Sequence, residues 1–193
     1  MALSAELKFR VAVGGLGAIG GEVAARLDQG IPGLRLTAVA ARDMDKAQRR
    51  MAAFREAVPV VSLGELAVNA DVVVGCVPAG KFAEVAQPAV RAGRIFMPVS
   101  VGALLDNPEL IDLAMETGAR IIVPTGALLG LDAVRAAAVG EISSVKMVTR
   151  KPPAALAGSP TWRTTASRWK ASPGLSRCLR AAPGTGPRDS PLM

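Results

Sequence analysis

The stretch FRVAVGGLGAIGGEVAARLDQG, residues 9–30, contains the strongest indication of the fold. It opens with a short apolar run, continues through a glycine-rich turn and ends in a helical pattern that Gly30 closes. The turn contains Gly15-Leu16-Gly17-Ala18-Ile19-Gly20, which has the spacing G-x-G-x-x-G. A strand, this turn and a helix in that order predict the first βα unit of a dinucleotide-binding fold.

Each glycine of this motif has its own physical role. Gly15 permits a tight turn, Gly17 lets the backbone approach a pyrophosphate, and Gly20 lets the helix pack closely on the strand. The amino end of the helix offers unpaired N–H groups and the positive end of its dipole to phosphate. The alternative is a glycine-rich turn that binds nothing, but the strand before it and the helix after it favour binding.

The rest of the first 150 residues continues the alternation of strands and helices. Apolar runs predict strands over residues 34–41, 58–61, 71–78, 94–100 and 120–124, and amphipathic patterns predict helices over 43–57, 81–93, 107–118 and 130–140. Strands without polar alternation are buried on both faces. Right-handed crossovers then give an α/β fold, a doubly wound parallel sheet of the Rossmann type, over residues 1–140.

The segment after residue 140 has a different pattern. Residues 141–151, EISSVKMVTRK, mix apolar with polar side chains, as in a strand with one face in water. We therefore predict that residues 141–158 open a second α+β domain that is incomplete in this chain. Residues 159–193 show no periodicity and form a separate tail.

Composition excludes several classes of function. The net charge is +7, but residues 159–193 hold five Arg and one Lys against one Asp, so the basic balance belongs mostly to the tail. With no basic helix face or aromatic platform, we expect no nucleic-acid partner. Two cysteines and no histidine make a metal site unexpected. No signal or membrane-spanning pattern is present, so we expect a cytoplasmic protein.

The residues at the end of the second strand indicate which cofactor, NAD or NADP, the chain would bind. Ala40 and Ala41 occupy the place where an acidic residue would bind the ribose 2′-hydroxyl, and Arg42 and Asp43 follow. Arg42 can bind a 2′-phosphate or be a solvated surface charge, while Asp43 can contact the cofactor or cap the next helix. This pattern favours NADP and leaves NAD open.

Further loops should line the same crevice, since they follow the carboxyl ends of other strands. Cys76 is interpreted as a small buried residue rather than a nucleophile, because no histidine can activate it. Ser100 is interpreted as a hydrogen-bonding partner of a ligand. Lys146, Arg150 and Lys151 can meet a dicarboxylate or form surface ion pairs.

These motifs together resemble a known family. GLGAIG, SVGALLD and VPTGALLGLDAVRAAAVGEISSVKMVTRKPP closely resemble the L-aspartate dehydrogenases, from about Phe9 to about Ser159. The resemblance implies an NAD(P)-dependent oxidoreductase that converts L-aspartate to iminoaspartate, which yields oxaloacetate and ammonia or feeds NAD biosynthesis. It also implies a homo-oligomer for the intact enzyme.

The resemblance assigns residues to parts of the cofactor. It implies a pyrophosphate contact for Gly15, Gly17, Ala18, Ile19 and Gly20, and places Arg42 at the adenosine ribose. It further implies that the nicotinamide half lies beside Cys76, Val77, Pro78, Ser100, Val101, Gly102 and Ala127.

The chain departs from the family after residue 159. The family continues with a domain that supplies an Asn-containing cofactor segment and a catalytic histidine, and neither is found in this sequence. We interpret the tail, which is rich in Arg, Ser and Pro, as the product of a frameshift near codon 159, the alternative being a genuine disordered basic tail. No catalytic residue is assigned, and we expect little or no turnover from these 193 residues.

Two other functions stay open at this point. One is a dinucleotide-binding domain without catalysis. The other is a related Rossmann dehydrogenase or reductase that acts on a different amino acid, because fold analogy alone does not separate such families.

Overall fold

A five-stranded, all-parallel sheet in the order β2-β1-β3-β4-β5 forms the centre of the structure. The computed structural model describes residues 8–125 and 130–144. The strands are β1 (Phe9–Gly14), β2 (Leu34–Ala40), β3 (Val72–Gly75), β4 (Ile95–Pro98) and β5 (Arg120–Ile121). The helices are α1 (Ala18–Gln29), α2 (Met44–Met51), α3 (Phe82–Arg91), α4 (Glu109–Thr117) and α5 (Leu131–Ala137). The predicted doubly wound α/β fold is confirmed.

Helices cover both faces of the sheet, which explains why its strands are mainly apolar. On one face Val11, Val13 and Val39 pack against α1 and Met51 of α2. On the other face Ala12 and Val73 pack against α3 and α4. Successive side chains of a strand point to opposite faces, so the buried residues of each strand are divided between two hydrophobic cores.

The outer edge of β2 differs from the expectation of a strand over residues 58–61. Only Val60 forms a bridge there, parallel to Val39. The Val39 amide donates to Pro59 O at 3.0 Å, and the Val61 amide donates to Val39 O at 2.8 Å. Because Pro59 has no N–H of its own, the pairing stays limited to this one bridge.

Helix α2 is shorter than its amphipathic pattern, which continues to residue 57. The structure ends the helix at Met51. Beyond it, the Asp28 carboxylate at the end of α1 accepts from the Arg55 amide at 2.8 Å and from the Glu56 amide at 3.3 Å. The carboxylate thus supplies an acceptor for two amides in the non-helical segment that follows α2.

Helix α4 begins two residues after the start of the predicted range 107–118. Its ordered turn starts at Glu109, with Pro108 already in the αR region. The Asn107 side chain does not cap the helix and donates to Ala103 O at 2.8 Å. Gly118 ends the helix in the left-handed region at φ 71°, as predicted.

The sheet and helices α1 to α4 lie in a unit that ends at Leu131, and the chain from Asp132 onward belongs to a second unit. Residues 141–144, the start of the strand expected over 141–151, have no regular secondary structure. The remainder of that strand, the incomplete second domain as far as residue 158 and the tail over 159–193 lie outside the described residues. Their assignment stays a prediction.

A charged pair joins the amino ends of β1 and β3. The Arg10 side chain donates to Asp71 Oδ1 at 2.7 Å, and the Arg10 amide donates to Asp71 Oδ2 at 2.9 Å. These hydrogen bonds, the side-chain bond above all, lower the pKa of Asp71 from 3.8 to about 2. The pair therefore connects two neighbouring strands at the end of the sheet opposite the glycine-rich turn.

We expect Asp71→Asn to destabilise the fold in a pH-dependent way. The pKa of Asp71 is lowered in the folded state, so its contribution is complete above about pH 4 and is lost as the pH falls through about 2. The side chains of Arg10 and Asp71 are 39% and 34% exposed, so solvent screens their interaction. We expect about 1 kcal/mol at pH 7 after that discount.

Urea unfolding at pH 7 and at pH 2.5 (about the lowest workable value) measures this difference. Glu22→Gln is the matched control, because it removes the exposed pair that Glu22 makes with Arg26 on α1. An Asp71→Asn effect that is equal at both pH values would contradict the assignment.

Candidate dinucleotide-binding site

The candidate site lies where the order of strands reverses, between β1 and β3. From β1 the chain moves to β2 on one side, and it then returns to β3 and continues to β4 on the other. The carboxyl ends of β1 and β3 are in register, with Gly14 opposite Gly75. In open α/β sheets a crevice forms outside the strand ends at this switch point, and ligands bind there.

Gly15 and Gly20 are both required by close backbone contacts. Gly15 has φ 94°, and a Cβ there would lie 2.5 Å from Cys76 O. A Cβ on Gly20 would overlap the carbonyl oxygen of Gly15 and lie 2.9 Å from Cys76 Cβ. The first turn of α1 therefore packs directly on the loop that leaves β1 and on the end of β3, as the motif predicts.

Gly17 has the opposite surroundings. It is the N-cap residue of α1 with φ −70° and ψ −158°, and no side chain bonds to the helix there. A Cβ on Gly17 would meet nothing within 4 Å. The space in front of this residue is open, which leaves room for a ligand to approach the backbone.

The amino end of α1 faces that open space with several donors. Gly17, Ala18 and Ile19 are exposed. The amides of Ala18, Ile19 and Gly20 have no acceptor within the helix, because the first turn of a helix leaves its N–H groups unpaired. By contrast, the Gly15 amide donates to Ala40 O at 2.7 Å. A pyrophosphate fits this arrangement of open space, unpaired amides and helix dipole.

The two residues after β2 are placed differently. Asp43 is the N-cap of α2, and its Oδ1 accepts from the Lys46 amide at 2.9 Å. Of the two roles that the sequence left open for Asp43, the structure shows the cap. Arg42, next to it, is exposed. Its guanidinium is thus accessible to a ligand at the carboxyl end of β2.

The loop after β3 brings Cys76, Val77 and Pro78 to the crevice. Cys76 is half-buried, and burial raises the pKa of its thiol, which disfavours the nucleophilic thiolate. The Cys76 amide donates to Gly14 O at 2.7 Å, so the loop is fixed to β1. Val77 is buried and Pro78 is exposed.

The loop after β4 is joined to this one by a side chain. Ser100 Oγ donates to Val77 O at 2.6 Å. Its proton is therefore used within the protein, and toward a ligand Ser100 can serve only as an acceptor. Val101 and Gly102 follow in a short 3₁₀ turn, Val101–Leu104, and Gly102 is exposed. Ala127, Lys146, Arg150 and Lys151 lie outside the described residues.

Sequence reasoning missed two residues beside the glycine-rich loop. Arg50, near the end of α2, donates from Nη2 to Gly21 O at 3.1 Å and from Nη1 to Leu16 O at 3.4 Å. In the sequence Arg50 is one of several charges on an amphipathic helix, and Gly21 is an extra glycine after the motif. Neither position carries a local signal that would connect them.

The described residues contain neither a cluster of metal ligands nor a membrane-spanning helix. Residues 8–125 and 130–144 contain no group of three or more His, Cys, Asp or Glu side chains that could hold a metal ion. Within the same ranges no helix is both long and apolar enough to cross a membrane.

Curated relatives of this chain are L-aspartate dehydrogenases. One from Bradyrhizobium diazoefficiens is 52% identical over 157 residues, which are 81% of this chain and 56% of that protein. L-aspartate dehydrogenase 3 from Bordetella bronchiseptica is 48% identical over 82% of this chain and 58% of its own length. The resemblance read from the sequence is confirmed, and the chain spans a little more than half the length of these relatives.

Solved structures share the fold at lower identity. UDP-N-acetylglucosamine 3-dehydrogenase from Acidithiobacillus ferrooxidans matches 77% of this chain and 48% of its own with a TM-score of 0.58 at 20% identity. Biliverdin reductase from Synechocystis, solved with biliverdin and NADP⁺, matches 74% of this chain and 46% of its own with a TM-score of 0.54 at 19% identity. At these identities the likeness shows the fold alone.

A family model covers the region that the site occupies. The model described as homoserine dehydrogenase, NAD binding domain, matches residues 15–124. This range runs from the first glycine of the motif past the last strand of the sheet and exceeds half of the chain. The chain therefore belongs to the family of NAD-binding domains of the homoserine dehydrogenase type.

Proposed function

We propose that this chain binds NADP or NAD and is the dinucleotide-binding part of an L-aspartate dehydrogenase. The proposal is based on the open space and unpaired amides at the strand switch point. They occur in a chain that is 52% identical to an L-aspartate dehydrogenase over 157 residues. The fold alone would fit many dehydrogenases, so the substrate rests on that identity.

The glycine-rich turn and α1 would hold the pyrophosphate. Gly15 and Gly20 keep the loop and helix in contact, and Gly17, Ala18 and Ile19 face the open space with their backbone. Backbone N–H groups and a helix dipole bind phosphate without any side-chain charge. The affinity for the cofactor is thus proposed to come mainly from this backbone.

The loops after β3 and β4 would receive the nicotinamide half. Cys76, Val77 and Pro78 would form one side, and Ser100, Val101, Gly102 and Ala127 the other. The hydrogen bond from Ser100 to Val77 O fixes the first two loops relative to each other. When bound, the nicotinamide supplies a hydride acceptor, and the residues of this chain orient it.

A dinucleotide-binding domain without catalysis is the second candidate. The observation that favours it is the composition, since the 193 residues contain no histidine. Proton transfer in dehydrogenases is most often performed by a histidine. Binding without turnover by this chain is therefore an expected outcome.

Calorimetric titration of the purified 193-residue chain with NADPH and NADH tests the proposed binding. We expect saturable binding of at least one, and its absence would overturn the proposal. Aspartate-dependent reduction of NADP⁺ or NAD⁺ tests for catalysis. Turnover with L-aspartate and not with L-homoserine would contradict the second candidate, whereas binding without turnover is the result that we expect of these 193 residues under both candidates.

Arg42→Ala tests the choice of cofactor. We expect NADPH affinity to fall about tenfold while NADH affinity is unchanged, because a guanidinium that binds the 2′-phosphate acts on NADPH alone. Arg49→Ala is the matched control, since Arg49 is a basic residue in the last turn of α2. No loss for either cofactor would assign Arg42 to the solvated surface, and an equal loss for both would show that it does not select NADPH through the 2′-phosphate.

Two further parts of the proposal derive from the sequence and the family resemblance. We propose that the intact enzyme is a homo-oligomer and acts in the cytoplasm. Size-exclusion chromatography with light scattering, together with cell fractionation, measures both.

A further inference from the structure

The guanidinium of Arg50 connects α2 to the glycine-rich loop. It donates to Gly21 O in the first turns of α1 at 3.1 Å and, with a longer bond of 3.4 Å, to Leu16 O inside the loop. The two acceptors lie on either side of the N-cap residue Gly17. A single side chain from another element therefore bridges the loop and the helix that follow β1.

Gly21 provides the space in which this guanidinium lies. A Cβ added to Gly21 would meet Arg50 first, at 2.7 Å from Nη2 and 2.9 Å from Cζ. The three nearest atoms all belong to Arg50. Glycine destabilises the interior of a helix relative to alanine. A glycine at position 21 is thus explained by the space that the Arg50 guanidinium occupies.

The bond to Leu16 O determines the direction of a donor in the proposed pyrophosphate site. Leu16 C=O and Gly17 N–H belong to one planar trans peptide, so they point in opposite directions. Holding the oxygen toward Arg50 fixes the N–H of Gly17 away from it. The residue that the cofactor would approach most closely is thereby oriented from α2.

We propose that Arg50 is a positioning residue for the pyrophosphate of the dinucleotide and that Gly21 is there to admit it. The inference rests on the proposed function, because it concerns the same site. It differs from the role of Arg42, which acts on the 2′-phosphate alone. Arg50 acts through the Leu16–Gly17 peptide, so it affects NADP and NAD equally.

Two variants disturb this contact in different ways. Arg50→Met removes the guanidinium and keeps an unbranched apolar side chain. Gly21→Ala leaves Arg50 in the sequence but places a methyl group where its guanidinium lies. For each variant we expect the affinities for NADPH and NADH to fall together, about five- to tenfold, with their ratio unchanged. In the double variant we expect no further loss, since both changes remove one interaction.

Thermal unfolding separates this role from a merely structural one. Gly21→Ala gains helix propensity, so its midpoint should be unchanged or higher while its affinity falls. Arg50→Lys is a second test of Arg50, because a lysine cannot donate to both oxygens in the same fork and should restore little affinity.

Each outcome of the titrations has a definite meaning. If the wild-type chain binds and Gly21→Ala binds equally well, the positioning role is wrong and the proposed function stands. If only NADPH affinity falls, Arg50 contacts the 2′-phosphate and the inference is overturned. If losses in the double variant add, the two residues act separately, which also overturns it. If the wild-type chain binds neither dinucleotide, the proposed function fails together with the inference.

Discussion

Gly20→Ala is expected to destabilise the fold and to abolish measurable dinucleotide binding. The added Cβ would overlap the carbonyl oxygen of Gly15 and approach Cys76 Cβ to 2.9 Å. The overlapping atom belongs to the backbone. Gly15 is held in place because its amide donates a hydrogen bond to Ala40 O at 2.7 Å. To relieve the overlap, α1 must move away from β3 or the loop must shift, and either displaces the amides at the amino end of α1.

The sign of the stability change follows from two opposing magnitudes. Alanine in a helix is about 1 kcal/mol more favourable than glycine. Overpacking a close contact costs about 1–3 kcal/mol, and more where backbone must move. The overlap is with backbone at Gly20, so we expect a net loss of about 2 kcal/mol in the free energy of unfolding.

Urea unfolding of the Gly20→Ala and Gly21→Ala variants, compared with the wild type, measures this change in the free energy of unfolding. The two substitutions are adjacent in α1 and share the gain in helix propensity, but the Cβ at position 21 meets the movable end of Arg50 rather than backbone. We expect opposite signs, with Gly20→Ala less stable and Gly21→Ala equal to or more stable than the wild type. A Gly20→Ala chain with wild-type stability and affinity would show that the close contact is unimportant.

Gly17→Asp is expected to have the second large effect, in which stability and binding change in opposite directions. The residue is the N-cap of α1 in extended conformation, with no atom within 4 Å of an added Cβ. Aspartate is a preferred N-cap and its charge interacts favourably with the helix dipole, so stability should rise by about 0.5 kcal/mol. The same carboxylate would lie where the pyrophosphate is proposed to bind.

Repulsion then dominates the effect on binding. Two like charges about 5 Å apart at an effective dielectric constant of about 20 cost about 3 kcal/mol, which corresponds to a loss of about 100-fold in affinity. In addition, the carboxylate accepts from amides that the phosphate would use. We expect NADPH and NADH to be affected alike, since both contain the pyrophosphate.

Gly17→Asn is the matched control, because it has the same shape without the charge. We expect its affinity to fall about tenfold, by competition for the amides alone, and the remaining loss in Gly17→Asp to shrink as salt is added. If Gly17→Asp binds either dinucleotide as tightly as Gly17→Asn, the pyrophosphate does not lie in front of this residue.

Much of the fold could be predicted from local patterns. The strand-turn-helix order of residues 9–30 predicted β1, the turn and α1, and Gly30 and Gly118 marked the ends of α1 and α4. These predictions succeed because apolar periodicity and glycine conformation act over a few residues. The same reasoning was wrong for the length of α2, since the Arg55 and Glu56 amides beyond its end donate to the distant Asp28 carboxylate.

The candidate site also combines features that local patterns predict with contacts between distant residues. From the sequence alone one can predict the type of fold, the three glycines of the motif and the strand ends that line the crevice, since each depends on residues close together in the chain. The hydrogen bonds from Ser100 to Val77 O and from Arg50 to Leu16 O and Gly21 O are seen only in the folded structure. These contacts join residues 23 to 34 positions apart. No local pattern encodes such contacts, because they exist only once the sheet has brought its loops together.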